Sequence, residues 1–572
     1  MTLHARQLGS VRYREALEVQ RAMFECTDRN YLLLLEHPNV FTMGVRDSSS
    51  HMLVDPTSVN AELVQTDRGG DITFHGPGQL VGYLILSLNA ERDSTRVYVS
   101  LVEQLLMDSL GELGLTDTFT QPDRPGVWVR SQDSIPLKLA AIGVRRSRGR
   151  TMHGFALNVS TDLAMFDRIV ACGIADAGVT SLQALGIPLE SADAVEVISR
   201  RASEIFDDGT LERAAVTPRR SGDVDLAAFS RGLGAGEAVR YQTKRHAQPV
   251  TEASAPGTSV RLLGRLAQAG VNGGVEITDR KPEWMRAPVR LDAAVRATQR
   301  AVRSNDLVTV CQEAGCPNLS ECWADGTATF MVCGERCTRA CGFCLVDTHK
   351  PAALDPGEPT RVAQAVADMA LRYAVITMVA RDDLADGGAR HVAETIRAIH
   401  DLDPGIAVEA LISDLGGDYD GLDIVCEAQP EVLNHNIETV ARLQRAARPS
   451  AGYARSLGVL AHARARGLTT KSGIVVGMGE TFDEVVGVLG DLAAVGVSIV
   501  TIGQYLRPTT HHLPVAQWWS PSDFAEWKRI GELEFGFDHV ESSPLTRSSY
   551  HARSAMATAS SRSRAEEQAV TS

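Results

Sequence analysis

Runs of apolar residues along the first part of the chain have the length of buried strands. They lie at Tyr31–Leu35, Val81–Leu88, Leu139–Val144 and Phe155–Val159, and a helical stretch covers Val97–Leu113. Continuous apolar strands are typical of a sheet that other elements cover on at least one face. The pattern therefore predicts a domain with a mixed α/β sheet.

The second part of the chain has a more regular rhythm, in which strand-like runs alternate with helical patterns such as Arg361–Tyr373. Six runs are found, at Thr327–Cys333, Ala374–Val379, Ile406–Ile412, Val432–Asn436, Ser472–Gly477 and Ser498–Tyr505. Alternation of this kind predicts parallel strands joined by right-handed crossovers. We expect a partial (β/α)6 barrel of the TIM type, with its site at the C-terminal ends of the strands.

Composition changes at two places along the chain of 572 residues. Residues 216–258 are rich in Gly, Pro, Ser, Thr and Arg, which predicts a flexible linker. From Arg553 onward Ala, Ser, Thr, Arg and Glu predominate, which predicts a disordered tail. We therefore predict domains at 1–215 and 259–552, a linker at 216–258 and a tail at 553–572.

One apolar stretch, Val485–Gly503, is long enough to resemble a membrane span. Asp491 lies inside it, and Thr481 with Glu484 forms a capping-box pattern at its start, so a buried helix followed by a buried strand explains it better. The N-terminus lacks the pattern of a signal peptide. We expect a cytoplasmic protein with no membrane partner.

Charge and cysteine content narrow the function classes. Hydrophobic residues make up 44% of the chain, as in globular proteins, and the net charge of -14 disfavours a nucleic-acid partner, which needs a basic face. In a reducing cytoplasm the 10 cysteines are expected to be metal ligands, nucleophiles or core residues and not disulfides. Cys333 and Cys426 fit apolar faces, and we predict both to be core residues.

Three cysteines follow the first predicted strand of the second domain. Cys337, Cys341 and Cys344 form a C-x3-C-x2-C pattern, and three thiolates on one loop can hold three irons of a [4Fe–4S] cluster. The open fourth iron can be chelated by S-adenosylmethionine, whose sulfonium is cleaved to a radical when the cluster donates an electron. Zinc is the alternative, but it normally takes four ligands in paired C-x2-C units. The spacing resembles that of the radical S-adenosylmethionine superfamily, including Phe343 before the last cysteine.

A second trio, Cys311, Cys316 and Cys322, precedes the first with C-x4-C-x5-C spacing. Together the two trios resemble lipoyl synthase, and the resemblance extends over Lys281–Ala552. The supporting runs are KPEWMRAP, GTATFMVCG, NHNIET, KSGIVVGMGET, TIGQYLRP, HLPV and RSSYHA.

The resemblance to lipoyl synthase implies two [4Fe–4S] clusters, S-adenosylmethionine and an electron donor. It assigns the second trio to an auxiliary cluster whose fourth iron takes the hydroxyl of Ser549, although an ordinary tail serine is the alternative from the residues alone. A hard serine ligand suits a cluster that is dismantled to give up sulfur. Two sulfurs then enter carbons 6 and 8 of a bound octanoyl chain. Ala380 and the run Ile412–Asp414 depart from the usual family pattern without removing a cluster ligand.

The first domain carries weaker signals. The run Arg68–Leu80, RGGDITFHGPGQL, is dense in glycine, so either a close approach to a ligand or a tight structural turn explains it. Cys172 lies in a loop of small residues, and taken alone such a cysteine is more often a buried inert thiol. Lys138 begins the predicted strand KLAAIGV.

Together these runs, with EHPNVFTMG and VTSL, resemble octanoyl-[acyl carrier protein]-protein transferase over residues 8–185, in the fold shared with biotin and lipoate protein ligases. The resemblance implies that Cys172 carries the acyl group and that Lys138 is its partner. It implies a substrate-binding lining from three loops: Arg68, Gly69, Gly70, Asp71, Ile72, Thr73, Phe74 and His75; Ala141, Ile142 and Gly143; and Gly154, Phe155 and Ala156. Ala171 replaces the proline that usually precedes the nucleophile.

The two resemblances predict a bifunctional enzyme of lipoyl cofactor biosynthesis. Its expected partners are octanoyl-acyl carrier protein and the lipoyl domains of 2-oxoacid dehydrogenase E2 subunits and glycine cleavage H protein. A lipoate ligase, which activates free acid with ATP, does not require a cysteine such as Cys172. Two rivals remain: a radical enzyme that thiolates another substrate such as RNA, and a first domain that only docks lipoyl domains.

Overall fold

The computed structural model describes residues 2–46, 49–89, 94–170, 177–217, 257–275, 280–286, 293–305, 307–310, 316–324, 328–556 and 558–559. The chain divides into two compact units, Met1–Val216 and Thr217–Ser572. The predicted linker lies almost entirely outside the described residues. Each unit has its own sheets and core, so the prediction of two α/β domains is confirmed.

The first unit contains a mixed main sheet and a small second sheet. Its strands are β1 (Leu3–Ser10), β2 (Asn30–Glu36), β3 (Val40–Met43), β4 (Glu62–Gln65), β5 (Thr73–His75), β6 (Gln79–Ile85), β7 (Gly126–Arg130), β8 (Pro136–Ser147), β9 (Arg150–Asn158), β10 (Gly178–Val179) and β11 (Leu211–Ala215). The main sheet runs β10-β8-β9-β6-β2-β1-β11, with β7 also paired to β8, and the small sheet runs β4-β3-β5. The pairs β10–β8, β1–β2 and β1–β11 are parallel, whereas β2, β6, β9 and β8 pair antiparallel in turn.

Three helices cover the main sheet: α1 (Tyr13–Cys26), α2 (Thr95–Glu112) and α3 (Ser191–Phe206). Apolar side chains of α2 and α3 share one core with the sheet, including Leu105, Ile198 and Leu84. All four predicted strands and the predicted helix of this unit are present. The strand β2 is buried from Asn30 to Leu35, which explains why its sequence is apolar without alternation.

The second unit is built from repeated strand–helix units. Its strands are β12 (Val308–Thr309), β13 (Thr329–Val332), β14 (Tyr373–Met378), β15 (Ala407–Leu411), β16 (Val432–Asn434), β17 (Thr469–Val476), β18 (Ile499–Gln504) and β19 (His539–Ser542). The sheet follows chain order from β12 to β19, and β13 to β19 are all parallel. The six predicted strands are confirmed.

The helices of this unit lie before and between those strands. They are α4 (Gly257–Gln268), α5 (Ala293–Ser304), α6 (Leu319–Ala324), α7 (Glu358–Asp368), α8 (Ala389–Leu402), α9 (Tyr419–Glu427), α10 (Gln444–Ala447), α11 (Tyr453–Ala465), α12 (Phe482–Ala494) and α13 (Pro521–Leu533). The stretch Val485–Gly503 is a buried helix followed by a buried strand, and the capping box of Thr481 and Glu484 is formed. Among the described residues, no helix combines the length and the apolarity needed to cross a bilayer.

Three features differ from the sequence prediction. The strands β12, antiparallel to β13, and β19 were not predicted. The helix α7 ends at Asp368, whereas the predicted helix Arg361–Tyr373 continued to the first residue of β14. The segment expected to be disordered from Arg553 is helical over several described residues, and Ala555 and Ala559 pack in the core beside Ile499. The prediction of Cys333 and Cys426 as core residues is confirmed, at 0% and 3% exposure.

Candidate active sites of the two units

A pocket opens in the first unit where β8, β9 and β10 meet. It contains 430 Å³ of empty space, its open mouth included. Its walls are formed by Thr73, Gln79, Trp128, Lys138, Ala141, Ala156, Asn158, Phe166, Ala177, Gly178 and Val179. The walls are mostly apolar, and Lys138 is the one residue among them with a cationic side chain. Its described walls place one amine among apolar side chains, a setting suited to contact with an acyl group.

Lys138 is held in this wall by its neighbours. The side chain is 8% exposed, and its Nζ lies 4.7 Å from the centre of the Trp128 ring. That ring is fixed because its Nε1 donates a hydrogen bond to the Arg124 carbonyl at 3.1 Å. Burial raises the pKa of the nearby Glu103 carboxyl, partly offset by the Gly126 N–H that it accepts and by the charge of Lys138. The ammonium therefore faces an aromatic ring in a partly apolar setting.

Cys172 lies outside the described residues, but the described residues before and after it are held in place by backbone contacts. The N–H of Val170 donates to the His51 carbonyl at 2.8 Å. After the segment, Ala177 lines the pocket, and β10 pairs with β8 so that Val179 lies opposite Lys138. The chain thus enters the pocket wall five residues after Cys172, beside the lysine with which the family resemblance pairs it.

The predicted substrate-binding residues divide into three groups. Thr73, Ala141 and Ala156 line the pocket. Arg68 instead supports the loop, since its Nη2 donates to the Thr42 carbonyl at 2.6 Å, and the carboxylate of Asp71 accepts from His51 Nδ1 at 2.8 Å.

The remaining members of that set have packing roles. Apolar side chains that are buried or partly buried belong to Ile72, Phe74, Ile142 and Phe155, and tight backbone contacts are made at Gly69, Gly143 and Gly154. Gly70 adopts φ +97, which favours glycine. Gly154 is required because a Cβ there would lie 2.1 Å from the Gly82 carbonyl oxygen. His75 is buried, and burial is the main reason that its pKa lies well below the ordinary value.

A buried hydrogen-bond chain connects His75 to Thr180, the residue directly after β10. Gln79 bonds His75 Nδ1 through its Oε1 at 2.7 Å and donates to Asn158 Oδ1 at 2.9 Å. Asn158 Nδ2 then donates to the Thr180 carbonyl at 3.0 Å. Asn158, Phe166 and Trp128 were missed from the sequence, because a single polar or aromatic residue, whether in an apolar strand or in a short helical turn, gives no signal of facing a pocket.

In the second unit the predicted cluster loop follows β13 at the C-terminal edge of the sheet. Gly334, at φ +86, turns the chain out of the strand. Several segments then fix the loop: Thr338 N–H donates to the Ala380 carbonyl at 2.9 Å, Gly342 N–H to the Ala447 carbonyl at 2.8 Å, and His512 Nε2 lies 2.9 Å from the Cys344 carbonyl oxygen. The departure at Ala380 keeps these contacts, because only its backbone oxygen takes part.

The three thiols of this loop share one electrostatic environment. Burial raises the pKa of Cys337, of Cys341 and, to about 12, of Cys344. The charges of Cys344 and Cys337 further raise the pKa of Cys341. Thiols that resist ionisation alone lose their protons to a metal, as cluster ligands must. The donor set therefore fits an iron–sulfur cluster.

Among the described side chains of His, Cys, Asp and Glu, no three lie close enough together to hold one metal ion. In a cubic cluster each cysteine binds a different iron, so the three sulfurs do not converge on a single point.

Arg339, inside the cysteine loop, anchors it to the loops that follow β14 and β15. Its Nη2 lies 2.6 Å from Asp382 Oδ1 and 2.6 Å from Asp414 Oδ1. Burial opposes ionisation of Asp414, but the charges of Arg339 and Arg455 outweigh it and hold the pKa of that carboxyl well below its usual range. The departure Ile412–Asp414 thus retains the carboxylate that pairs with the loop.

The run NHNIET also reaches the cysteine loop. Glu438 adopts φ +67, unusual for a residue with a side chain, and its charge raises the pKa of Cys344 after the larger effect of burial. Asn436 Nδ2 donates to Glu438 Oε1 at 3.1 Å. These polar groups therefore lie near the cysteine loop.

The auxiliary trio is described at Cys316 and Cys322, while Cys311 lies outside the described residues. The C-terminal run RSSYHA packs against this region. Arg547 is close enough for its charge to lower the pKa of Cys316, against the larger effect of burial. Tyr550 donates its hydroxyl to Glu321 Oε1 at 3.3 Å. Ser549 lies between these two contacting residues, so the structure brings its segment to the auxiliary trio.

Comparisons with known proteins support a lipoyl-transfer domain in the first part of the chain and a radical enzyme in the second. The lipoyl protein ligase A/B catalytic domain family matches residues 12–202, and the radical SAM superfamily matches residues 331–492. The lipoyl synthase of Rubrobacter xylanophilus is 54% identical over 274 residues, which is 48% of this chain and 85% of that protein. The lipoyl synthase of Tropheryma whipplei is 51% identical over 304 residues, 53% of this chain and 86% of that protein.

Among solved structures, the bipartite lipoate protein ligase of Thermoplasma acidophilum matches 38% of this chain and 88% of its own, at 17% identity and a TM-score of 0.32. The family matches confirm the predictions of an enzyme with a transferase part and a synthase part and of radical chemistry with an iron–sulfur cluster and S-adenosylmethionine. The chain belongs to the lipoyl synthase family, with a lipoyl protein ligase A/B catalytic domain preceding its radical SAM domain.

Proposed function

We propose that this chain performs both steps that convert a protein lysine into a lipoyl-lysine. The first domain transfers octanoyl from acyl carrier protein to a lysine of a lipoyl domain, in an E2 subunit or in glycine cleavage H protein. The second domain inserts sulfur at carbons 6 and 8 of the bound chain. The observation that carries the transferase assignment is Lys138, which lies in the wall of an apolar pocket that the chain enters five residues after Cys172.

Cys172 as nucleophile and Lys138 as proton donor and acceptor can carry out both half-reactions of the transfer. A free thiol has a pKa of about 8.5, so a neighbouring ammonium is needed to favour the thiolate. The thiolate attacks the thioester carbonyl, and Lys138 gives its proton to the departing carrier thiol. Lys138 then accepts a proton from the incoming lysine amine as that amine attacks the Cys172 thioester, which forms the amide and restores the thiolate–ammonium pair.

The second domain is proposed to hold two [4Fe–4S] clusters, one bound by Cys337, Cys341 and Cys344 and one by Cys311, Cys316, Cys322 and Ser549. With S-adenosylmethionine and an electron donor, they would supply the radical that removes hydrogen from an unactivated carbon and the sulfur that replaces it. The residues of the chain itself fix the loop, because Arg339 anchors it to Asp382 and Asp414.

The test of the transferase assignment uses Cys172→Ala in the full chain. Wild-type protein incubated with octanoyl-acyl carrier protein alone should gain one octanoyl group on the peptide that contains Cys172, as measured by mass spectrometry. The variant should transfer no octanoyl to a lipoyl domain but should still convert an octanoylated domain to the lipoylated form. Intact transfer by the variant would support the second candidate, a first domain that docks lipoyl domains without catalysis.

A further inference from the structure

Asn318 connects the auxiliary-trio segment to a part of the chain more than two hundred residues away. It lies between Cys316 and Cys322 and is 3% exposed. Its carbonyl accepts the N–H groups of Glu321 at 3.0 Å and Cys322 at 2.9 Å, and its side-chain Nδ2 donates to the Leu545 carbonyl at 2.7 Å. One buried side chain therefore joins the trio segment to the stretch that leads into RSSYHA.

Two more hydrogen bonds fix the residues on either side of Ser549. Asn436 Nδ2 donates to Ser548 Oγ at 2.7 Å, which directs that hydroxyl toward the run NHNIET. Tyr550 donates its hydroxyl to Glu321 Oε1 at 3.3 Å, within the trio segment. Of the two adjacent serines, Ser548 is thus bound to Asn436, and Ser549 lies between two anchored neighbours.

A serine hydroxyl is a hard and weak ligand for iron compared with a thiolate. Such a ligand contributes little to its own placement, so the protein must hold it in position. The contacts of Asn318 and Glu321 supply that support from the same segment that carries Cys316 and Cys322, and Asn436 holds Ser548 from the run NHNIET.

We propose that Asn318 is a positioning residue that holds the C-terminal segment so that Ser549, and not Ser548, serves the auxiliary cluster. This inference rests on the proposed function, because it requires the second cluster. It predicts that loss of the Asn318 amide uncouples sulfur insertion from radical formation, since the loop of Cys337, Cys341 and Cys344 is fixed by other residues.

The experiment uses the full chain loaded anaerobically with iron and sulfide, as wild type, Asn318→Ala, Asn318→Asp and Ser549→Ala. The aspartate has the size of asparagine but presents an oxygen to the Leu545 carbonyl, so it tests the donor without opening a cavity. Asn305→Ala is the matched control, because its exposed Nδ2 contacts Asp368 at 3.2 Å. The readouts are methionine released from S-adenosylmethionine with dithionite, lipoyl groups formed per methionine, and the rate at which a chelator removes iron.

Both Asn318 variants should release methionine within about twofold of wild type, while lipoyl groups per methionine fall at least about tenfold. Half of the iron should become labile to the chelator, in the pattern of Ser549→Ala, and Asn305→Ala should match wild type. Wild-type coupling and iron retention in both Asn318 variants would overturn the inference. Loss of methionine release together with coupling would also overturn it, since that result indicates a general structural role. A wild-type protein with only about four irons would instead contradict the proposed function.

Discussion

Replacing Arg339 by methionine removes the charge that anchors the cysteine loop and keeps a side chain of similar length. Arg339 is 7% exposed and contacts two carboxylates, of which the Asp414 side chain is 0% exposed and that of Asp382 is 37% exposed. The buried partner dominates the expected effect, because solvent screens the more exposed pair to about 1 kcal/mol or less.

Breaking a buried ion pair by removing one partner costs about 3–5 kcal/mol. Arg455 Nη1 remains 3.7 Å from Asp414 Oδ2, so the lower end of that range, about 3 kcal/mol, is expected. Since 1.4 kcal/mol corresponds to about a tenfold change in an equilibrium, opening of the loop should become about a hundredfold more frequent.

The assay is thiol labelling of the cluster-free full chain at neutral pH, with modification of Cys337, Cys341 and Cys344 followed by mass spectrometry. Loss of a nearby positive charge would by itself disfavour the thiolate and slow labelling, so faster labelling reports opening. Arg336→Met is the matched control, because that side chain is 42% exposed and lies 3.3 Å from Asp347. Labelling of Arg339→Met at the wild-type rate would refute the assignment of Arg339 as the anchor.

Three further predictions follow from the described contacts. The pKa of Asp414 in the folded protein is held below its usual range. Its ion pair therefore stabilises the cysteine loop fully above about pH 4, and this stabilisation is lost as pH falls through the folded pKa. Asp414→Asn should remove this pH dependence of loop opening, as measured by hydrogen exchange. Lys471 Nζ lies 2.9 Å from Glu409 Oε1, and both side chains are 1% exposed. Lys471→Met should therefore destabilise the second unit by about 3–5 kcal/mol, seen as a lower transition temperature in calorimetry. Adding Glu409→Gln should recover part of the lost stability, because it removes the unpaired buried charge. Trp128→Leu removes the cation–π contact with Lys138, so it should reduce octanoyl transfer about 2- to 30-fold and alter the pH profile of the transfer. Trp128→Phe keeps an aromatic ring and should retain most activity. Equal transfer rates for the two variants would contradict a role of the ring in holding Lys138.

Local signals in the sequence were sufficient for the strands and for the cysteine spacing. Apolar runs found β2 and β14 because these strands are buried along almost their whole length. The strand β19, HVES, was missed because it is short and partly polar. Ala552, Ala555 and Ala559 follow helical spacing and are buried, but a composition of alanine, serine and arginine concealed that pattern.

Contacts between distant residues could not be predicted from a single sequence. The pairing of Arg339 with Asp414 joins residues on different loops, and the hydrogen bond from Asn318 joins residues 227 positions apart. Neither has a local pattern, since each depends on where the fold places the strand ends. The family resemblance supplied candidate ligands, and the structure supplied the residues that hold them.

The central claim is that one chain carries out octanoyl transfer and sulfur insertion in sequence. The most direct measurement is the intact mass of an unmodified lipoyl domain after anaerobic incubation with the purified chain, octanoyl-acyl carrier protein, S-adenosylmethionine and dithionite. The account predicts an octanoylated species that appears first and is then replaced by the lipoylated species. A domain that remains unmodified, or that acquires octanoyl without any later gain of sulfur, would contradict it.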